Sequence, residues 1–210
     1  MTSTLRRTYR RLRYGEPIVV VSGLPRSGTS MAMKMLEAGG LSAVVDGIRT
    51  ADEDNPKGYF EDERVKDLAK MEDKSWLVAA QGKAIKVISY LLKDLPGSHN
   101  YKILFMRRDF HEVLASQAKM LDRRDEVSES SDERMIELYE DHLWKVDRLL
   151  QRASHFEALD VHYTAVLKDP GAEAARIHEF LGLPLDVEKM AGVVDERLYR
   201  NRAPEASAGT

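Results

Sequence analysis

Two spacings of apolar residues alternate along this chain. Residues 17–21 (PIVVV) form an unbroken, mostly β-branched run that ends in Ser22-Gly23, the pattern of a parallel strand covered on both faces. Met31, Met35 and Ala38 then recur at helical spacing until Gly39-Gly40, which predicts a helix over residues 29–38. A polar, irregular stretch follows over 46–62, with turn signals at Asn55-Pro56 and Gly58. A helix is expected over 62–71, a second strand over 84–88 (AIKVI) and a third, the clearest, over 102–106 (KILFM). The third strand runs into a helix beginning near Asp109, where Asp109 and Glu112 stand at capping-box spacing with Asp in place of Ser or Thr. Residues 122–132 (DRRDEVSESSD) are charged and poor in apolar groups, and read as a mobile loop. Met135, Ile136, Tyr139, Leu143, Val146 and Leu150 mark the buried stripe of a long helix over 133–152. Leu159, Val161 and Tyr163 alternate with Asp160 and His162 as a fourth strand, and a helix over 172–181 ends at Gly182 with Pro184 beyond it.

Strands alternating with helices imply a parallel sheet with helices on both faces. Ligands on such sheets lie beyond the carboxyl ends of the strands. That rule gathers three segments: the turn after the first strand, Lys86–Ser89, and the Arg107-Arg108 junction. A chain of 210 residues, 43% hydrophobic and 32% charged, suits one domain with one substantial core. That domain is expected over residues 17–202, with a basic arm at 1–16 and a small, polar, disordered tail at 203–210. A formal net charge of -3 gives no global pull toward nucleic acid. The lack of cysteine removes disulfides, thiolate nucleophiles and zinc–thiolate sites. The arm holds Arg6, Arg7, Arg10, Arg11 and Arg13 without the apolar stretch of a signal peptide. It reads either as a mobile, solvated lead-in or as a surface for a membrane or an acidic partner. No apolar run reaches membrane-spanning length, so stable membrane insertion is not expected and a cytoplasmic location is.

The turn after the first strand carries the strongest chemistry. In Gly23-Leu24-Pro25-Arg26-Ser27-Gly28-Thr29-Ser30, backbone N–H groups at a helix start and the helix dipole make a seat for an anion. Gly23 and Gly28 have the spacing of the Walker A loop, but Thr29, followed by Ser30, stands where that motif has lysine. The Walker lysine reaches the β- and γ-phosphates of a nucleoside triphosphate, so its loss argues against an ordinary kinase or NTPase. Arg26 brings a guanidinium to the loop instead. The expected fold class is therefore α/β, a three-layer sandwich with a central parallel sheet, P-loop NTPase-like.

Residues 23–31 (GLPRSGTSM) resemble the 5′-phosphosulfate loop of sulfotransferases that use 3′-phosphoadenosine 5′-phosphosulfate (PAPS), in the Pro-Arg-Ser-Gly-Thr form of Golgi and bacterial members. The resemblance implies that Arg26, Ser27, Gly28, Thr29 and Ser30 grip the 5′ end. A second stretch, Arg108-Asp109-Phe110 through Val113-Leu114-Ala115-Ser116, is similar to the family's 3′-phosphate element, an arginine at a strand end and a serine eight residues later. A guanidinium offers paired donors to phosphate oxygens and a serine hydroxyl adds one more. Residues 163–170 (YTAVLKDP) resemble the family's tyrosine-to-proline segment, in which the tyrosine lies near the adenine; Tyr163 reads equally as the end of a strand. Residues 180–184 (FLGLP) resemble a packing element of the family. The likeness spans roughly residues 17–184.

Sulfuryl transfer, by analogy with phosphoryl transfer, rests on positioning and on stabilising charge that grows on the leaving 5′-phosphate oxygen. No metal is expected, and the six histidines are scattered. Ile85-Lys86-Val87-Ile88 resembles the segment in which cytosolic members carry a catalytic lysine and, two residues later, a histidine base. Lys86 matches; Ile88 replaces the histidine. Several Golgi and bacterial members use a carboxylate downstream of the loop, so the resemblance implies a base among Asp46, Glu53, Asp54 and Glu61, with Glu61 first and Asp54 second. Arg200 and Arg202 either add to the 3′-phosphate site or belong to an exposed tail. The function implied is transfer of a sulfuryl group from PAPS to a hydroxyl or amine of a small-molecule or glycan acceptor. The rivals are a P-loop kinase of a small molecule or nucleotide and a non-catalytic nucleotide-binding module.

Overall fold

A computed structural model describes residues 3–46, 60–122 and 131–195. Asp54 and Glu53, the Asn55-Pro56 turn, nearly all of the charged stretch at 122–132, Arg200, Arg202 and the tail lie outside the described residues.

Among the described residues four strands form one sheet: β1 (Ile18–Gly23), β2 (Ala84–Lys86), β3 (Tyr101–Arg107) and β4 (Phe156–His162), in the order β2-β1-β3-β4. All three pairings are parallel, with Val20 beside Ile85 and Ile103, and Leu104 beside Leu159. β1 and β3 are central, and their runs are buried on both faces, so the side-chain alternation of a strand sorts them into two cores. On one face Val19, Val21, Leu104 and Met106 meet α2 (Thr29–Ala38), α7 (Pro170–Leu181) and α8 (Val187–Gly192) through Met33, Met35, Leu36, Ile177 and Met190. On the other, Ile18, Val20, Ile85, Ile103 and Phe105 meet α5 (Asp132–Arg152), α3 (Glu63–Lys66) and two 3-10 turns at Ser75–Ala80 and Ser89–Asp94. A small third core joins Leu24 to Val113 and Leu114 of α4 (Phe110–Asp122) and to Tyr139 of α5. The expected three-layer architecture, P-loop NTPase-like, is what the structure shows.

Differences from the periodicity reading are local. The helix expected over 62–71 is a single turn capped by Asp62, whose side chain accepts from the Arg64 N–H. β2 stops at Lys86 because the chain turns outward, leaving Ile88 40% exposed. β4 starts at Phe156, earlier than the alternation suggested, and Tyr163 opens α6 (Tyr163–Lys168). Asp109 does cap α4, its Oδ1 accepting from the N–H groups of His111 at 2.9 Å and Glu112 at 3.3 Å. Lys102, in the middle of an apolar strand, is buried because its ammonium donates to the carbonyls of Phe180 (2.5 Å) and Leu181 (2.8 Å) at the end of α7. Those carbonyls lack helical partners and carry the negative end of the dipole.

The basic arm is helical: α1 spans Ser3–Tyr14. Arg10 pins it to the amino-terminal edge of the sheet. Its guanidinium donates to Asn100 Oδ1 (2.7 and 3.1 Å), to the carbonyls of His155 (2.8 Å) and Ser154, and pairs with Glu157 at 3.2 Å.

Candidate active site

All four strands deliver a candidate residue at their carboxyl ends. The glycine loop follows β1, Lys86 ends β2, Arg108 follows β3 and Tyr163 follows β4. Neighbouring strands are about 4.8 Å apart, so the sheet order fixes a sequence across the site: Lys86, then the loop, then Arg108, then Tyr163.

The loop bends through three residues with positive φ: Gly23 (152°), Arg26 (68°) and Gly28 (104°). A Cβ on Gly23 would lie 2.5 Å from Ser27 Oγ and 2.8 Å from the Met106 carbonyl. A Cβ on Gly28 would strike the Tyr163 ring at 2.5 Å, so the glycine makes room for the aromatic ring. Arg26 holds a left-handed conformation that costs an L-residue roughly 1–2 kcal/mol. Its carbonyl is held by Arg108 Nη1 at 3.1 Å, and its own Nε donates to Ser116 Oγ at 3.1 Å. The two segments read separately from the sequence, the glycine loop and the Arg108–Ser116 element, are thus bonded directly to each other.

The Arg108 side chain is buried, and so is that of Glu112, whose carboxylate accepts from Arg108 Nε at 2.9 Å. The guanidinium carbon lies 4.2 Å from the centre of the Tyr163 ring, in cation–π contact. Burial pushes the Tyr163 phenol up, opposed by the Arg108 charge, so it is a neutral hydroxyl at physiological pH. Ser27 is 1% exposed and its hydroxyl has no partner among the described residues; Ser22, at the end of β1, is in the same state. A buried hydroxyl without a partner costs about 1–3 kcal/mol; Ser22 is the residue before Gly23, and Ser27 lies within the turn, its Oγ facing Gly23. Thr29 and Ser30 open α2 behind Gly28, whose side the helix N-terminus presents to the loop.

Lys86 Nζ stands 3.0 Å from Glu61 Oε1, with both side chains mostly buried. Of the other carboxylates, Asp46 Oδ2 accepts from the Glu63 N–H at 2.6 Å and so holds the start of α3. Two features escaped the sequence reading. Glu112 was visible only as a capping residue, although its spacing of four from Arg108 was the available signal. His142 looked like one of six scattered histidines; its Nε2 is 2.8 Å from Ser89 Oγ, and its ring stacks on Tyr90 at 3.7 Å and 11°. Burial, reinforced by the Lys145 charge, holds the His142 imidazole below its usual range. Nothing in the chain order links a residue of α5 to one three positions past Lys86. Among the described residues no group of His, Asp or Glu is arranged to hold a metal ion, and no helix is long and apolar enough to cross a membrane.

A family model described as "Sulfotransferase family" matches residues 59–187 of the chain. No curated protein matches it. Among solved structures, the sulfotransferase domain from the curacin biosynthetic pathway is similar at 14% identity and a TM-score of 0.51, over 86% of this chain and 79% of that one. The sulfotransferase domain of the Synechococcus PCC 7002 olefin synthase is 15% identical with a TM-score of 0.49, over 93% and 91% of the two chains. Mouse sulfotransferase SULT7A1, complexed with PAP, is 16% identical with a TM-score of 0.47, over 91% and 68%.

Proposed function

This chain belongs to the sulfotransferase family, and from that premise we propose that it moves a sulfuryl group from PAPS to a hydroxyl or amine of a small-molecule or glycan acceptor. The observation that carries this reading is the bonded chain Ser116–Arg26–Arg108. It joins a loop suited to one phosphate to an arginine and a serine suited to a second, and a nucleotide with phosphate groups at both its 5′ and 3′ ends needs both.

The order across the sheet gives the substrate a direction. The 5′-phosphosulfate sits on the loop over β1, its oxygens meeting the N–H groups of residues 26–30, the Ser27 hydroxyl and Arg26. The 3′-phosphate lies toward β3, on Arg108 and Ser116, and Tyr163 supports Arg108 from beneath. Lys86 and Glu61 stand on the opposite flank, beyond β2, where the acceptor enters. Glu61 takes the proton of the acceptor hydroxyl or amine as its oxygen or nitrogen bonds to sulfur. The bond from sulfur to the 5′-phosphate oxygen breaks, and that oxygen leaves carrying the charge. Lys86, released from Glu61 as the carboxylate gains its proton, donates to the departing oxygen. No redox change occurs and the proton is accounted for at Glu61.

Thermal unfolding with 3′,5′-adenosine bisphosphate, 5′-AMP and ATP plus magnesium tests the nucleotide half of the proposal. The bisphosphate at a hundred times its dissociation constant should add about 2.7 kcal/mol, with 5′-AMP well behind. Stabilisation by ATP plus magnesium without a response to the bisphosphate would sink it. Removing Arg108 alone takes away the cation beside the buried Glu112 carboxylate. The informative variant is therefore Arg108→Ala with Glu112→Ala, which should erase the preference for bisphosphate over 5′-AMP.

A further inference from the structure

The nucleotide chemistry leaves helix α1 unused. Its sequence, STLRRTYRRLRY, holds five arginines and no acidic residue, in a chain whose net charge is -3. Leu5, Tyr9 and Leu12 recur at spacings of four and three, so they share one face of the helix. Arg10 and Tyr14 share another, turned toward the body: Arg10 is 4% exposed, and the Tyr14 hydroxyl is 3.4 Å from Ser154 Oγ. The apolar face is therefore turned out. Leu5 is 60% exposed, Tyr9 56% and Leu12 84%. Arginines border it: Arg13 donates to the Tyr9 hydroxyl at 3.3 Å, and Arg11 pairs with Glu16 at the helix end.

We propose that α1 is an interfacial anchor that seats this protein on membranes rich in anionic lipid. An exposed apolar ridge edged by cations is the amphipathic pattern that lies in the headgroup plane, with its apolar side chains dipping into the acyl boundary. A helix of 12 residues is about 18 Å long, too short to cross a bilayer, so it lies along the surface. A second copy of the chain is a poorer occupant, because pairing the ridges would bring together two arginine-rich helices without an acidic residue between them. An anionic bilayer supplies negative charge and apolar depth at once, and asks no shape complementarity of a convex helix. Each arginine near such a surface strengthens binding by about fivefold. Arg10 fixes α1 at the amino-terminal edge of the sheet, and the glycine loop lies at the other edge. Six- and seven-residue strands separate the two by about 20 Å. A docked molecule thus holds its reactive site away from the bilayer, open to water.

Co-sedimentation of the full chain with phosphatidylcholine vesicles, with and without phosphatidylserine, tests the anchor. Binding is expected only to the phosphatidylserine vesicles and should weaken as salt rises. Leu12→Glu, at a side chain that touches solvent almost everywhere, should weaken binding by about tenfold or more without moving the thermal midpoint. Arg11→Glu with Arg13→Glu should weaken it further. The proposal is overturned by equal binding to both vesicle types, by no binding to either, or by binding to phosphatidylserine vesicles that Leu12→Glu leaves unchanged. A concentration-dependent dimer that Leu12→Glu dissolves, or capture by polyglutamate as tight as by vesicles, overturns it in favour of a second copy or an acidic polypeptide.

Discussion

At the amino-terminal edge of the sheet, Arg10 is buried against Asn100, two main-chain carbonyls and Glu157. At the carboxyl edge, Arg108 is buried against a carboxylate, a main-chain carbonyl and an aromatic ring. The two arginines are almost equally hidden, so burial does not tell them apart. Their surroundings do. Arg10 joins three segments that meet at the base of the fold. Arg108 holds the carbonyl of a left-handed residue in a glycine loop whose Ser27 hydroxyl is buried without a partner among the described residues. A cation that ties strands together is a structural fastener; one that shapes an incomplete polar cradle belongs to a site.

Four measurements break or sharpen that contrast. The largest effect is expected at the carboxyl edge. Glu61→Gln should lower the rate of sulfate transfer by about 10²–10⁴, with bisphosphate binding and the thermal midpoint unchanged; a full rate would move the base elsewhere. Next, Arg10→Met should cost about 3 kcal/mol in urea unfolding, because it leaves buried acceptors without a donor. Bisphosphate affinity of the folded fraction should stay as it was, and a parallel loss of affinity would erase the distinction between the two edges. Third, Gly28→Ala should destabilise by about 1–3 kcal/mol through the clash with Tyr163, and should reduce bisphosphate affinity as well. Equal nucleotide affinity would show that the ring and the loop move apart freely.

The smallest effect concerns acid. Burial lowers the imidazoles of His99 and His155 at the amino-terminal edge and of His142 at the other, with Arg10 adding to the effect at His155. The unfolded chain therefore takes up protons first as pH falls below about 6.5, and stability declines from there toward the lower folded values. Unfolding midpoints from pH 8 to 5 should show that decline. His155→Asn should flatten it, and more so with Arg10 present than in the Arg10→Met background.

The sequence pattern reached the centre of this molecule more surely than its margins. β1 and β3 were legible because a strand covered on both faces must be apolar throughout, and IVVV and ILFM are. The loop was legible because a turn that tight at the head of a helix demands glycine at Gly23 and Gly28. Helix α1 was not read as a helix, because its apolar residues face solvent and its anchor, Arg10, is one arginine among five. The partner of Arg10 is ninety positions away at Asn100. Tyr163 fitted a strand alternation, yet it packs across Gly28 and so had to leave the strand. The Lys86–Glu61 contact spans twenty-five positions; each residue could be named as a candidate, but no periodicity joins them.

The conformation of Arg26 has a bearing on engineering. Glycine would relax that backbone at once, and a campaign scored on melting temperature alone would be drawn to it, since a left-handed arginine is an obvious fault to repair. The repaired protein would keep the main-chain carbonyl that meets Arg108 but lose the side chain that reaches Ser116 and offers the loop its guanidinium. Selection for heat tolerance and selection for turnover would therefore pull this one codon in opposite directions, and a stabilised variant with glycine there should be expected to fold well and do little.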